Sequence, residues 1–249
     1  MQQERNFMKN CHNECDRCPV QENTDMNTMP LIGEHAPEFC ASTTNGKIKF
    51  PDDFAGQWIV LFSHPADFTP VCTTEFIAFQ QDMDKFLALN TQLIGLSIGG
   101  LASHLAWIDS IAKMPGGIHI TFPLIDDMNM NIAKQYGMIH PKSSDTNAVR
   151  AVFIIDPAGI IRTILYYPPT LGRNISEIHR IITGLKTADE FGVAIPANWM
   201  PGEQVLKPAP KTSATLKKHS GNMPWFMTYK RLDKDAVYRK ITKQKHNKK

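Results

Sequence analysis

The chain has 249 residues, 42% of them apolar and 20% charged, with a net charge of +3. That length suffices for one large core, or for a domain of about 150–200 residues with an appendage. Apolar runs such as Trp58–Phe62 are far too short to cross a bilayer, and the polar opening MQQERNFMKNCHNEC holds no secretory apolar core, so a cytoplasmic protein with no membrane partner is expected.

Residues 1–28 read as an appended polar segment without apolar period. They carry Cys11, Cys15 and Cys18 of the five cysteines, the others being Cys40 and Cys72. An odd count argues against a disulfide framework. Met29 begins a stretch that reads as the start of a domain. Cys40 lies in an apolar context (EFCAS) and is expected in the core. Trp58–Phe62 is short, apolar and rich in β-formers, the pattern of a buried strand. A proline-bounded turn follows, from His64 to Pro70. From Thr73 the apolar residues Phe76, Ile77, Phe79, Met83, Phe86 and Leu87 recur at helical spacing.

Gln92–Ile98 is a second strand, and Ser103–Met114 a helix with Leu105, Ile108 and Ile111 as its apolar positions. Ile118–Leu124 leads to a helix near Met128–Tyr136, with Gly137 at the expected stop. Ala151–Ile155 and Ile160–Tyr166 form a hairpin across Asp156–Gly159. Ser176–Leu185 is a helix, for which Ser176 is a plausible N-cap. From Pro196 the chain reads as an extended Pro-rich linker into a basic arm. Strands and helices in this order give an α/β fold, a central sheet with helices on its faces. The divisions expected are an appended segment 1–28, a main domain 29–195, and a linker with C-terminal arm 196–249.

Charge is unevenly placed. From Lys207 onward thirteen lysines and arginines face only Asp233 and Asp235, a net of +11, against −8 for the rest. With no nucleic-acid motif present, the arm is read as solvated or as wrapping an acidic body, its own or a partner subunit's.

Chemistry concentrates between Phe62 and Glu75. Cys72 falls in the first turn of a helix, after a buried strand and a proline-bounded loop. Thiolate, not thiol, attacks electrophiles. A helix N-terminus stabilises that anion, and its unpaired amides can point at a sulfur or a bound peroxide. Thr69 adds a hydroxyl within the loop's reach. A cation would complete the site. Arg150 is the leading candidate, at the entry to a strand with no acidic neighbour in sequence. Arg173 is a second loop cation.

These residues resemble the peroxiredoxin family. Pro65-x-x-x-Thr69-x-x-Cys72 matches its P-x-x-x-T-x-x-C signature, within the longer FTPVCTTE. The resemblance continues through Phe122–Asp126, Tyr136–Pro141, Ser144–Thr146, Val149–Pro157, Tyr167–Pro169, Gly172–Asn174 and Trp199–Gly202, covering about residues 29–210. Within the family the chain is similar to the one-cysteine branch with a long C-terminal extension. The resemblance implies a thioredoxin-like fold with a central mixed sheet and a smaller C-terminal arm. It implies Cys72 as peroxidatic nucleophile, Pro65 shielding the thiolate, Thr69 and Arg150 orienting it, and auxiliary roles for His64, Glu75 and Arg173. It further implies a peroxide substrate, an external thiol reductant, no cofactor or metal, and a homodimer that could build a decameric ring.

Two departures stand out. No cysteine follows Cys72, so a resolving thiol must come from outside or from Cys11, Cys15, Cys18 or Cys40. The run Cys11-x-x-x-Cys15-x-x-Cys18 stays open among a redox role, a metal site and an extension without one; a single cluster is weak for zinc, which wants four ligands. The stretch Asp52–Trp58, where some relatives carry a phospholipase serine and histidine, has neither, so acyl transfer is rejected. A thioredoxin-type oxidoreductase would need C-x-x-C at the helix start, but Thr69 and Glu75 flank Cys72 at that spacing. A non-enzymatic holdase or scaffold role is compatible with the basic arm.

Overall fold

The computed structural model describes residues 29–217 and 224–242. Cys11, Cys15 and Cys18 lie outside them. In chain order the elements are β1 (Phe39–Thr43), β2 (Gly46–Phe50), β3 (Trp58–Ser63), α1 (Pro70–Gln81), α2 (Met83–Ala88), β4 (Thr91–Ser97), α3 (Leu101–Ala112), β5 (Leu124–Asp126) and α4 (Asn131–Gln135). There follow β6 (Arg150–Ile155), β7 (Ile161–Tyr167), α5 (Ile175–Phe191), β8 (Val205–Leu206), α6 (Ser213–Lys217), β9 (Tyr229–Lys230) and α7 (Lys234–Ile241).

Seven strands make one mixed sheet in the order β2-β1-β5-β4-β3-β6-β7. β3, β4 and β5 run parallel, and β6 returns antiparallel to β3. β3 is buried along its whole length because both faces of the sheet are covered. Its alternate residues feed two cores, as a two-residue period demands. Trp58, Val60 and Phe62 meet Phe76, Phe79, Trp107, Ile178 and Ile182 on one face. Ile59 and Leu61 meet Ile94, Leu96, Tyr136 and Phe153 on the other.

Several expectations are corrected. The β1–β2 hairpin has no counterpart in the sequence pattern, because its turn signal, Asn45-Gly46, lies between FCAST, whose apolar residues do not alternate, and GKIKF, whose alternation is very short. Gly46 takes φ +111° there, which a side chain would resist. The helical run from Thr73 to Leu87 breaks at Asp82, and Leu87 is exposed. Leu105 also faces outward while Ile111 is buried. The cap of α5 is Asn174, not Ser176: its side-chain oxygen accepts from the Glu177 amide at 3.2 Å.

The segment after Pro196 is anchored rather than free. Trp199 is buried and donates from its indole nitrogen to the Glu203 carbonyl at 3.2 Å. β8 pairs with β9, and Val205, Leu232, Val237 and Ile241 join the same core as α5. The apolar stripe of α7 closes on α5 because Val237 and Ile241, four residues apart, share one face.

Candidate functional site

The parallel strands β3, β4 and β5 end on one side of the sheet, where α/β sheets commonly place their chemistry. β3 ends at Ser63, the chain turns through His64–Phe68, and α1 begins. Thr69 is its N-cap in extended conformation and Pro70 its first residue, the position where a missing amide costs nothing. Cys72 is therefore the third residue of the helix. Its side chain is fully buried, and it is the free cysteine among the described residues.

Arg150, the first residue of β6, reaches the sulfur. Its Nη1 lies 3.3 Å from Cys72 Sγ and 2.7 Å from Glu75 Oε2, while Nε and Nη2 donate to the Pro169 carbonyl at 3.1 and 2.8 Å. Cys72 and Glu75 are three apart on α1 and so face the same way. Arg173 closes the group. Its Nε and Nη2 donate to Glu75 at 2.9 and 2.7 Å, and its Nη1 donates to the carbonyls of Ser63 and Ala151, each at 3.0 Å. The guanidinium also lies over the Phe62 ring, 5.0 Å from its centre.

Burial alone would push the Glu75 carboxyl up, but Arg173 foremost, with Arg150, holds it below its ordinary value. Two permanent cations thus face one carboxylate. The excess is one positive charge, buried, with Cys72 Sγ in direct contact. Arg150 has no acidic neighbour in sequence; Glu75 supplies one through the fold.

The other loop residues are placed differently. Thr69 Oγ1 donates to the Ala66 carbonyl at 2.9 Å, tightening the loop. Pro65 is half-buried beside it. His64 is fully buried and bonds to Asp67 rather than to the sulfur, with Nε2 2.9 Å from Asp67 Oδ1. Burial holds the His64 imidazole below its ordinary value, against the pull of Asp67, so it is neutral and donates from Nε2. Its Nδ1 is then the one buried side-chain polar atom without a partner among the described residues.

Asp67 is a site residue that sequence reasoning misses. Besides His64 it accepts from Ser103 Oγ at 2.6 Å and meets His104 Nδ1 at 2.8 Å. Burial raises its carboxyl, but the bonds from His104, His64 and Ser103 outweigh that and hold it well below the usual carboxylate range. His64, Asp67 and His104 bring potential ligand atoms within 4.8 Å of one another, yet in this arrangement they satisfy each other by hydrogen bonds. The only local signal for Asp67 is a carboxylate inside a proline-bounded loop. Nothing in spacing ties it to residues 36 and 37 positions away.

Cys40 is corrected. It is exposed on β1, because Phe39 takes the inward position and the strand alternates. It is also disulfide-bonded, not a reduced core thiol.

Two family models match the chain. The AhpC/TSA family model covers residues 32–164, and the C-terminal domain of 1-Cys peroxiredoxin covers residues 184–219. A peroxiredoxin of Methanosarcina mazei is 52% identical over 215 residues, spanning 82% of this chain and 98% of that one. A peroxiredoxin of Aquifex aeolicus is 58% identical over 177 residues, 71% and 79% of the two chains. Among solved structures, a mutant Peroxiredoxin 6 of Arenicola marina superposes with a TM-score of 0.73 at 34% identity, covering 81% of this chain and 98% of that one. The yeast mitochondrial 1-Cys peroxiredoxin gives 0.72 at 39% identity, covering 82% and 100%.

Proposed function

The chain belongs to the AhpC/TSA family and is a thiol-dependent peroxidase of the one-cysteine peroxiredoxin type, and on that premise we propose that Cys72 is its peroxidatic nucleophile. The observation that carries this is the 3.3 Å contact between Cys72 Sγ and Arg150 within a buried cluster holding one excess positive charge.

The cycle starts from the thiolate, which the excess charge and the first-turn amides of α1 stabilise. Its sulfur attacks one peroxide oxygen and the O–O bond breaks. The other oxygen leaves with a proton as water or an alcohol, and Cys72 becomes a sulfenic acid. Arg150 orients the sulfur and stabilises charge on the leaving oxygen. Glu75 and Arg173 hold Arg150 in place. Thr69 and Pro65 shape the loop that covers the thiolate, and His64 packs behind it.

An outside thiol then reduces the sulfenic acid. The yeast mitochondrial relative resolves its thiol via glutathione/thioredoxin systems, which supports a reductant of that class here. Cys11, Cys15 and Cys18 are the internal alternatives, and Cys40 joins them only once its own disulfide is opened. We further read the enzyme as cytoplasmic, since no helix among the described residues is long and apolar enough to cross a membrane. It is read as a homodimer able to build a decameric ring, with β7 leaving a sheet edge for a second copy. The working divisions remain a peroxidase domain over 29–195 and an arm over 196–249.

Mass spectrometry after one equivalent of hydrogen peroxide tests the assignment. Sulfenic or sulfinic Cys72 is expected, with turnover abolished in Cys72→Ser. Retained turnover in that variant would sink it. A Cys72 disulfide to Cys11, Cys15, Cys18 or Cys40 would name an internal resolving residue.

A further inference from the structure

Apart from the Cys72 cluster, the fold gathers a second set of chemically active side chains out of water. His64 and Asp67 lie on the loop after β3, and His104 in the first turn of α3. Both imidazoles are fully buried, and the Asp67 side chain is nearly so. The carboxylate turns one oxygen to each ring: Oδ1 lies 2.9 Å from His64 Nε2, and Oδ2 lies 2.8 Å from His104 Nδ1. One donor atom from each of the three residues falls within 4.8 Å of the other two. The mechanism of Cys72 uses none of these donor atoms.

Three features fit this set to a metal ion. The Ile125 carbonyl, 3.1 Å from His104 Nε2, fixes the ring with Nδ1 turned to Asp67, and backbone carbonyls orient metal-ligating histidines in this way. His64 Nδ1 is buried without a partner. When Nε2 of that ring becomes a ligand, its proton can therefore move to Nδ1 without breaking a bond. Gly99, in the loop between β4 and α3, has a φ outside the left-handed region, so its backbone does not call for glycine. A Cβ there would stand 2.9 Å from His104 Cε1 and 3.1 Å from Asp67 Oδ2. The missing side chain leaves room beside two of the three donors. Spacing agrees as well. Ligands of a tetrahedral zinc ion stand about 3.3 Å apart, so the two short contacts need to open by only about half an ångström.

We propose that His64 Nε2, the Asp67 carboxylate and His104 Nδ1 form a binding site for a divalent transition-metal ion, with Zn²⁺ as its representative. Two imidazoles and a carboxylate are a donor set that zinc sites use, and imidazole equally suits nickel and copper. Ca²⁺ and Mg²⁺ want oxygen donors throughout, so the site selects against them. The ion takes the place of the hydrogens that lie between the donors. Ser103 Oγ, 2.6 Å from Asp67 Oδ2, or a water completes four-fold coordination. Bound there, the ion joins the loop after β3 to α3. The site contains no thiol, so it stands whether or not Cys72 is the nucleophile. It also departs from the metal-free protein that the family resemblance implies.

The test uses the full chain, stripped with a chelator and dialysed against Zn²⁺. Cys11, Cys15 and Cys18 are common to every variant, so the site is read from differences. Wild type should hold about one more ion per chain than His104→Gln. Loss of an outer partner of a metal ligand costs about 10–100-fold in affinity, so loss of His104 itself should weaken that ion by at least about a hundredfold. Cys72→Ser should bind as wild type does. With Co²⁺ as the probe, wild type minus His104→Gln should show visible d–d bands without a thiolate charge-transfer band. Equal binding in wild type and His104→Gln would overturn the site. So would an ion lost in Cys72→Ser, which would place it on the sulfur. If His104→Gln fails to fold, wild-type crystals grown with Zn²⁺ decide. An anomalous-scattering peak among His64, Asp67 and His104 supports the site, and an intact cluster without a peak overturns it.

Discussion

Two buried carboxylates flank Cys72, and their surroundings differ in kind. Glu75 stands between two guanidiniums that never lose their charge. Asp67 stands among a hydroxyl, a neutral imidazole and a second imidazole shared with a backbone carbonyl. The first cluster carries surplus positive charge to the sulfur. The second carries none to it, and spends its bonds on tying a loop to α3 and β5. The comparison teaches that burying a carboxylate does not fix its use. The donors around it do: permanent cations make an electrostatic site, and short polar donors make a mechanical one.

Removing the centre of the first cluster should have the largest effect. Glu75→Gln leaves Arg150 and Arg173 buried and unopposed, a cost of about 3–5 kcal/mol, to be read as a fall in the urea midpoint. A midpoint within error of wild type would break the claim that Glu75 binds that cluster together. Arg150→Met should separate charge from scaffold. Arg173 still pairs with Glu75 at 2.7 Å, so stability should fall less, while the rate of Cys72 oxidation should drop about a hundredfold or more. Stopped-flow oxidation and urea melts on the one variant give both values, and a large loss of stability with an unchanged rate would reverse the roles.

Acid should reach the second cluster first. His64 is held below its ordinary value of 6.5, so the fold keeps it neutral while the unfolded chain takes up a proton. Its contribution is complete above about pH 6.5 and falls as the pH drops below that, down to the folded value. Glu75, held below 4.5, contributes fully above about pH 4.5 and loses that only as the pH falls further through its folded value. Urea midpoints between pH 7 and pH 5 should decline in wild type and decline less in His64→Gln, which keeps a donor for Asp67 but does not titrate; His179, also held below 6.5 by burial, keeps part of the slope. An equal decline in both would remove His64 from the account. Lys186 gives the smallest effect, in the same sense but at higher pH. Its ammonium donates to the Leu89 carbonyl from a site where burial lowers it to about 8. The unfolded chain therefore holds more protons above about pH 8, so stability should rise from there toward pH 10. Lys186→Met should lose that rise.

Local pattern is enough for much of this molecule. The all-apolar Trp58–Phe62 run can only be a strand covered on both faces. The turn residues from His64 to Pro70 and the helical spacing after them put Cys72 in a first turn without any knowledge of the rest. Glu75 enters through the family resemblance alone, and its three-residue spacing from Cys72 explains why the two share a helix face. Arg150 stands out from its place at a strand entry, and β3–β6 pairing brings it to the sulfur. The β1–β2 hairpin escapes a reading of pattern because its strands are short and β1 shows no apolar alternation. Cys40 is misplaced by composition because EFCAS is apolar, whereas which residue faces inward depends on register.

Sequence by itself determined the family, the sheet-and-helix order and the place of Cys72 in a first helical turn, since each is written in contiguous residues or in short periods. Tertiary structure alone decided what the buried charges do. Arg173 meets Glu75 across 98 residues and Asp67 meets His104 across 37, and no period or motif spans such gaps. The physical reason is that a charge taken out of water must find its partner in space, and the partner's place is set by how the strands pair.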